Sequence, residues 1–272
     1  MRKINLGCGP VFVDAPDWLN LDFVPCSPSV RQANLLETLP LADHSASMVY
    51  SSHFLEHVPR NLVPGLLREC WRVLQPGGIV RLVVPDLENM VREYLSMREA
   101  GEHEKADFVV LEIIDQCVRR DSGGELARLY RHVTSHADHS TAPMIEYIRE
   151  RTGENLCSSV DAGRRVRNLR SLSTSMRSRI ERSWINFCLR ALPAAFRAQN
   201  VSLSTVGENH HWLWDFHQLK TALEAAGFVD VQRCSANSSV VADFPVHPLD
   251  VDAQGLPRKG AESIYLEARK LA

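Results

Sequence analysis

The sequence predicts an α/β protein with a doubly wound, mostly parallel sheet of seven strands and a helical insertion. Short apolar runs that end at glycine, proline or aspartate are typical of buried strands. Stretches of helical periodicity lie between several of these runs, which favours parallel strands joined by crossover helices. Residues 101–205 keep the helical periodicity but lose the strand pattern, so they predict the insertion.

The first 86 residues contain five predicted strands and one predicted helix. The helix covers residues 63–74, where apolar residues recur every three or four positions and Pro64 falls in the first turn. The Gln-Pro-Gly-Gly sequence at residues 75–78 ends this helix. The strands are predicted at residues 3–6, 18–21, 30–35, 46–52 and 79–84.

The C-terminal part predicts one more helix and the last two strands. A helix is predicted from Asp215, its N-cap, to residue 226, and Gly227 ends it. Residues 228–234 and 262–269 have strand patterns and are expected to complete the sheet. The chain is therefore divided into the first half of the sheet at 1–100, the insertion at 101–205 and the completing elements at 206–272.

The composition excludes several classes of protein. The chain has 272 residues, 44% of them hydrophobic and 24% charged, as in ordinary globular proteins. A formal net charge of -2 argues against a globally basic nucleic-acid binder. The seven cysteines are scattered singly, which favours neither disulfides nor a zinc knuckle and predicts a reducing cytoplasm. No run of about 18 apolar residues predicts a membrane span.

The first strand runs into a glycine turn, Gly7-Cys8-Gly9-Pro10. A dinucleotide-binding fingerprint would place a third glycine near position 12, where this chain has Phe12. The phosphate loop of nucleoside triphosphatases is also missing from the sequence. The turn therefore indicates neither NAD nor a nucleoside triphosphate.

The motifs of the N-terminal half resemble those of the class I S-adenosylmethionine-dependent methyltransferases. The resemblance implies a Rossmann-like methyltransferase fold, with S-adenosylmethionine as cofactor and S-adenosylhomocysteine as product. Residues 52–57 and 84–87 look like predicted methyltransferases found with polysaccharide-biosynthesis genes. The chain departs from the family pattern at Val11, which replaces the last glycine of the loop. The matching segments are residues 5–10, Asp22, residues 39–43, 55–58 and 72–78.

The resemblance places the cofactor at the ends of the first four strands. The glycines at 7 and 9 let the backbone approach the methionine part of the cofactor. Asp22 can accept hydrogen bonds from both ribose hydroxyls. Asn34 and Leu35 are expected beside the adenine, and the end of the fourth strand beside the methyl group. The predicted cofactor residues are Gly7, Cys8, Gly9, Asp22, Asn34, Leu35, Ser51, Ser52 and His53.

Methyl transfer needs an acceptor held in line with the departing sulfur and, in some cases, a base. His53 is the first candidate base because an imidazole titrates near neutral pH, and His211 is the alternative. The aromatic and imidazole density of residues 207–215 predicts a substrate wall, or aromatic packing of the insertion onto the sheet. The predicted acceptor residues are His57, Asp86, His210, His211 and Trp212.

A metal ion is not expected from the sequence. His132, His136 and His139 are spaced so that they could hold one, but no carboxylate or cysteine pattern fixes the geometry. Methyl transfer from a sulfonium needs no metal.

The segment from Arg164 to Arg197 carries nine arginines against a lone Glu181, with apolar residues at helical spacing. It predicts a cationic helix face with three alternative uses. The face covers the core, anchors the protein on anionic lipid, or contacts RNA. The lipid alternative suits a glycan carried on a lipid pyrophosphate.

The expected function is a cytoplasmic methyltransferase, free or peripheral at the inner face of the membrane. The expected acceptor is an oxygen of a sugar or cell-surface glycan precursor, and nucleic acid is not the expected partner. One alternative is N-methylation of RNA or a small amine. The other is a non-catalytic cofactor-binding protein that serves a partner subunit. Acceptor identity and oligomeric state are not encoded in any recognisable motif.

Overall fold

The computed structural model describes residues 2–135, 141–156, 176–202 and 207–271. These residues form a seven-stranded sheet of order β3-β2-β1-β4-β5-β7-β6. Strands β1 to β5 are parallel, and β7 is antiparallel to both of its neighbours. This confirms the predicted fold class. The strands are β1 Arg2–Leu6, β2 Trp18–Asp22, β3 Val30–Gln32, β4 Ala46–Ser52, β5 Leu74–Pro85, β6 Phe228–Cys234 and β7 Ser263–Lys270.

Strands β1 to β4 follow one another without a helix in the described residues, in agreement with the elements predicted for this part of the chain. A helical crossover needs a dozen or more residues, and the connection from Leu6 to Trp18 is shorter than that. Strand β3 ends at Gln32 rather than residue 35, because the next backbone N–H, of Ala33, turns back to bond Asp22 O. The carboxyl ends of the parallel strands β1, β2 and β4 lie at one edge of the sheet, and irregular connections return the chain to the opposite edge.

One face of the sheet is covered by two helices. Helix α1 (Val63–Val73) and helix α8 (Phe216–Ala225) bury Leu67 and Leu219 against Val80 and Leu266. Asp215 caps α8 as predicted, since its carboxylate accepts the N–H of Gln218. The remaining helices are α2 Leu87–Glu99, α3 His103–Val118, α4 Gly124–Ser135, α5 Ala142–Thr152, α6 Met176–Ala191 and α7 Ala194–Asn200.

The other face is covered by the connection between β6 and β7. Successive side chains of a strand point to opposite faces, so Met48 and Tyr50 leave the first core and face this connection. They pack with Phe244 and Leu249 and with Tyr265 of β7. Residues 235–262 thus cover the area that crossover helices would cover if they followed β1, β2 and β3.

A buried arginine fastens this connection to the sheet. Arg81 of β5 is 0% exposed and donates from Nε to Asp250 Oδ2 at 2.6 Å and from Nη1 to Glu267 Oε1 at 2.8 Å. Its other donors reach the carbonyl oxygens of Ser235 and Ser238. Because Arg81, Asp250 and Glu267 are all buried, the guanidinium is the positive charge that balances two buried carboxylates.

Helices α2 to α5 have an apolar core of their own. Met90, Phe108, Val109, Tyr147 and Ile148 form a buried cluster separate from the two sheet cores. Between residues 101 and 202 the described part of the chain forms helices and contains no strand. Among the described helices, none has both the length and the apolar character required to cross a bilayer.

Replacing Arg81 is expected to destabilise the fold strongly. In Arg81→Met, Asp250 and Glu267 lose their cation while they stay buried, and breaking such a pair costs about 3 to 5 kcal/mol. Arg92→Ala is the control, since Arg92 pairs with Glu88 on the exposed surface of α2 and its loss is expected to change little. Urea unfolding of both variants measures the difference, and equal midpoints would contradict this account.

Candidate active site

The glycine turn after β1 has the backbone conformation that its sequence predicts. Gly7 and Gly9 have φ angles of 63° and 51°, in the left-handed region that favours glycine. The N–H groups of Gly7 and Cys8 both donate to Leu21 O, which holds the turn against β2. A Cβ on Gly7 would collide with the ring of Phe54, whereas a Cβ on Gly9 would meet nothing within 4 Å. The surface in front of Gly9 is therefore open.

Asp22 closes the same turn from the end of β2. Its Oδ2 accepts the N–H of Gly9 at 2.8 Å, and its Oδ1 accepts the N–H of Val24 at 2.9 Å. A carboxylate has about four acceptor positions, so each oxygen keeps one for a ligand. Asp22 is half-buried beside this open surface. It is thus positioned by the protein and still able to accept two further hydrogen bonds.

Apolar side chains beside Asp22 are exposed. Phe23, which directly follows β2, is 52% exposed. Leu36, which lies shortly after β3, is 45% exposed. Leu35 is buried in the sheet core, while Asn34 is exposed and its Oδ1 accepts the N–H of Leu36. Apolar surface of this kind next to a carboxylate suits a nucleoside, whose base is flat and apolar on its faces.

The end of β4 brings three predicted residues together. Ser51 is buried and donates to Leu6 O at 3.1 Å, whereas Ser52 is half-buried. His53 has a φ of 50°, a left-handed conformation that is rare outside glycine and is found at functional sites. Its backbone N–H donates to Val83 O, which directs the chain toward the end of β5.

The imidazole of His53 is held by the start of β7. Its Nε2 lies 2.9 Å from Ser263 Oγ, which donates its own proton to Glu262 Oε2 at 2.8 Å. Ser263 Oγ must therefore accept from His53, so the proton of the neutral ring is on Nε2. The lone pair is on Nδ1, which lies 3.5 Å from Glu56 Oε1.

A polar cavity of about 150 Å³ adjoins His53. It lies between the ends of β4 and β5, the short 3₁₀ turn Leu55–His57 and helices α3 to α5. Pro85 and Met90 supply apolar wall, and Lys259 supplies a positive charge. Most of the remaining lining is imidazole and carboxylate, from His53, Glu56, His57, Glu112, His210 and Glu262.

Burial changes the charge of this cavity. It raises the pKa of Glu56 and Glu262 to about 8 and that of Glu112 to about 7. Burial also lowers the pKa of His210 to about 3 and lowers the pKa of His53. Near neutral pH the imidazoles are thus uncharged and offer lone pairs.

Residues 207–214 cross the site, but their side chains separate. His210 lines the cavity and its N–H donates to Gln116 O of α3. The side chain of His211 is exposed, although its N–H donates to Glu56 O at 2.7 Å. Trp212 lies below the guanidinium of Arg60 and donates to Gln218. The segment therefore contributes one imidazole to the cavity and one aromatic ring to packing.

The side chains of Asp86 and Cys8 are engaged in contacts within the protein. Asp86 is the N-cap of α2, accepts the N–H of Glu88 and pairs with Arg233 at 3.3 Å. Cys8 is buried in the glycine turn, and burial raises the pKa of its thiol to about 12. His57 does line the cavity, beside Glu56.

Several residues of the cavity were not predicted as site residues. The sequence indicates Glu56 only as part of the motif at residues 55–58, and no pattern indicates Lys259 or Glu262. Ser263 does not line the cavity but contacts His53 and Glu262. The topology explains the position of these residues. Strand β7 runs antiparallel to β5, so it begins where β5 ends, and Ser263 pairs with Pro85.

The arginine-rich segment is described in part. Residues 157–175, with Arg164 to Arg170, lie outside the described residues, as do His136 and His139. On α6, Trp184 and Phe187 are 65% and 64% exposed and stack at a centroid distance of 5.9 Å. Phe196 of α7 is also exposed.

Comparison with known proteins identifies part of the chain. Residues 19–82 match the family described as "Methyltransferase domain". No curated protein sequence matches the chain. A solved S-adenosylmethionine-dependent methyltransferase from Archaeoglobus fulgidus aligns with 12% identity and a TM-score of 0.40, over 99% of this chain and 86% of its own. Another from Mesorhizobium loti aligns with 15% identity and a TM-score of 0.36, over 99% and 90% respectively.

Residues 19–82 thus match a methyltransferase domain, and the seven-stranded, mostly parallel sheet is the fold that the sequence resemblance implies. S-adenosylmethionine is the cofactor of this fold. The residues present fit it, because Gly9 leaves open space and Asp22 keeps free acceptor positions for ribose hydroxyls. Gly7, Gly9, Asp22 and the end of β4 would hold it.

Substitution of Gly9 is expected to remove cofactor binding. In Gly9→Ala the new methyl group projects into the open surface that the cofactor would approach. Alanine is also strained at the left-handed φ of this position. Gly255→Ala is a matched control, since Gly255 also has a positive φ and open space but lies in the β6–β7 connection. Calorimetry with S-adenosylmethionine should show no binding for the first variant and normal binding for the second. Equal affinities would contradict the site.

Proposed function

We propose that this methyltransferase-fold protein transfers the methyl group of S-adenosylmethionine to a hydroxyl oxygen of a sugar or cell-surface glycan precursor. The observation that carries the proposal is the polar cavity beside His53, at the sheet edge where the cofactor residues lie. An acceptor in this cavity would contact the end of β4, which the family resemblance assigns to the transferred methyl.

The lining of the cavity favours an acceptor rich in hydroxyl groups. Carboxylates and neutral imidazoles accept hydrogen bonds, and a sugar offers several O–H donors in a small volume. Burial raises the pKa of Glu56 and Glu262 to about 8, so near neutral pH these carboxyl groups are mostly protonated and can donate hydrogen bonds as well as accept them. A small amine is the alternative acceptor that the same hydrogen-bonding groups would accommodate.

In the proposed reaction, His53 removes the proton of the acceptor. The acceptor oxygen forms a bond to the methyl carbon while the bond from that carbon to sulfur breaks, and the electron pair stays on sulfur. The hydroxyl proton passes to Nδ1 of His53, because Nε2 already carries the proton donated to Ser263. Glu262 holds Ser263 in that arrangement. Most of the catalysis is positioning, since the cofactor is an activated electrophile.

Transfer of a labelled methyl group tests the acceptor class. The protein is incubated with methyl-labelled S-adenosylmethionine and a cell extract, which is then fractionated into glycan, lipid, RNA and small amines. Label in glycan or glycolipid supports the proposal. Label in RNA or amines would replace it with an N-methyltransferase, and cofactor binding without transfer to any fraction would favour a non-catalytic partner protein.

His53→Asn is expected to lower kcat by about 100-fold or more, because the variant keeps a polar side chain but loses the base. Rates are compared at saturating S-adenosylmethionine, because His53 is also one of the predicted cofactor residues. His217→Asn is the control, since His217 is an exposed imidazole on α8. The rate of transfer into the labelled fraction measures both variants. An unchanged rate for His53→Asn would show that another group deprotonates the acceptor. His211→Asn would then test the alternative base.

We further propose that α6 contacts an anionic membrane surface, where a lipid-linked acceptor would be found. Exposed aromatic residues on a helix that also carries arginines are typical of interfacial helices. Replacing Trp184 and Phe187 by serine should lower the fraction of protein that floats with vesicles containing anionic lipid. Leu256→Ser is the control, since Leu256 is 59% exposed on another surface. Equal flotation with neutral and anionic vesicles would contradict the contact.

A further inference from the structure

We propose that Glu56, His57 and His210 form a binding site for one divalent transition-metal ion, of which zinc fits the donor set best. Each side chain offers one ligand atom, and the three atoms lie within 4.8 Å of one another. Two imidazoles and one carboxylate form a ligand set of catalytic zinc sites, which keep a further position open. This site departs from the sequence-based expectation of a metal-free protein.

Glu56 is the first reason for the proposal. Its side chain is 0% exposed, and neither carboxylate oxygen has a hydrogen-bond partner among the described residues. A buried carboxylate without a partner is costly, so such a group takes up a cation or a proton. Its Oε1 lies 3.9 Å from His57 Nε2, which brings a second donor atom to the same point.

His57 has the tautomer that a metal ligand requires. Its Nδ1 lies 3.0 Å from the backbone oxygen of Asn209, which can only accept, so Nδ1 carries the proton. The lone pair is therefore on Nε2, the nitrogen that faces Glu56. An imidazole that donates to a backbone carbonyl while its other nitrogen points into a cluster is the usual arrangement around a bound metal.

His210 completes the cluster from the segment that crosses the site. It is 6% exposed, and its Nδ1 has no partner among the described residues. Its ring lies edge-on to that of His57, with a centroid distance of 4.8 Å and an interplanar angle of 72°. A buried carboxylate, an imidazole lone pair and a second ring nitrogen thus meet without a donor between them, which is the environment that a cation stabilises.

The site borders the acceptor cavity, so the ion would have a part in the reaction. Glu56, His57 and His210 line the same cavity as His53. An open coordination position there would take the hydroxyl oxygen of the acceptor and lower the pKa of that hydroxyl. This role rests on the proposed function, whereas the metal site itself does not.

Metal binding by the full chain tests the site. The purified protein is stripped with a chelator and titrated with Zn²⁺ alone, and the bound metal is measured by elemental analysis. We expect one tightly bound ion per chain and a rise in Tm on addition of Zn²⁺, because only the folded protein assembles the three ligands. Co²⁺ in place of Zn²⁺ should give visible absorption of a low-coordinate ion.

Three variants assign the ligands. Glu56→Gln, His57→Ala and His210→Ala should each weaken Zn²⁺ binding by more than about 100-fold, beyond the usual effect of an outer-shell change. His217→Ala is the control, because this exposed imidazole on α8 should not affect binding. Circular dichroism identifies any variant that fails to fold, and the variants that fold then decide the assignment.

The outcomes separate the metal site from the proposed function. Absence of a stoichiometric ion in the wild type, or unchanged Zn²⁺ affinity in the folded variants, would overturn the metal site. The buried Glu56 would then be neutralised by a proton instead of a metal ion. Stripped protein that transfers methyl at an unchanged rate would overturn the role of the ion in the reaction. Zinc bound by all three ligands without any methyl transfer would support the site and contradict the proposed function.

Discussion

The neutralisation of two buried carboxylates by Arg81 is the interaction on which the rest of the structure depends. Asp250 belongs to the long β6–β7 connection, and Glu267 belongs to β7. Through them, one guanidinium fixes the segment that covers the second face of the sheet, and also the strand that starts at the active-site edge. Lys259 and Glu262 line the cavity and belong to the same β6–β7 connection as Asp250, so the lining of the cavity depends on this attachment.

The active-site edge collects groups from distant parts of the sequence for a topological reason. Parallel strands β1, β2, β4 and β5 all end there, and β7 begins there because it runs the other way. The cofactor side of this edge is made of backbone and one carboxylate, which suits a large ligand bound by close approach. The cavity side is made of titratable side chains, which suits proton transfer or metal binding.

The sequence predicted the fold class and the conformation of the glycine turn well, because glycine turns, apolar runs and helix caps are local features. Gly7, Gly9 and Asp22 are next to one another as expected. The sequence was less informative about the end of β3 and about the cavity. It predicted a third strand up to residue 35, whereas β3 ends at Gln32, and it assigned His210 and His211 to one substrate wall, although their side chains lie in different environments. Glu56 and Glu262 line the same cavity because β7 begins beside the end of β5, and no local pattern encodes that arrangement.

The separate core of helices α2 to α5 has an evolutionary consequence. Phe108, Val109 and Ile148 stabilise these helices among themselves, away from the sheet cores. Mutations that reshape this layer can therefore accumulate without loosening the glycine turn after β1. Such a division lets one layer of the molecule diversify while the sheet and its turn are inherited unchanged.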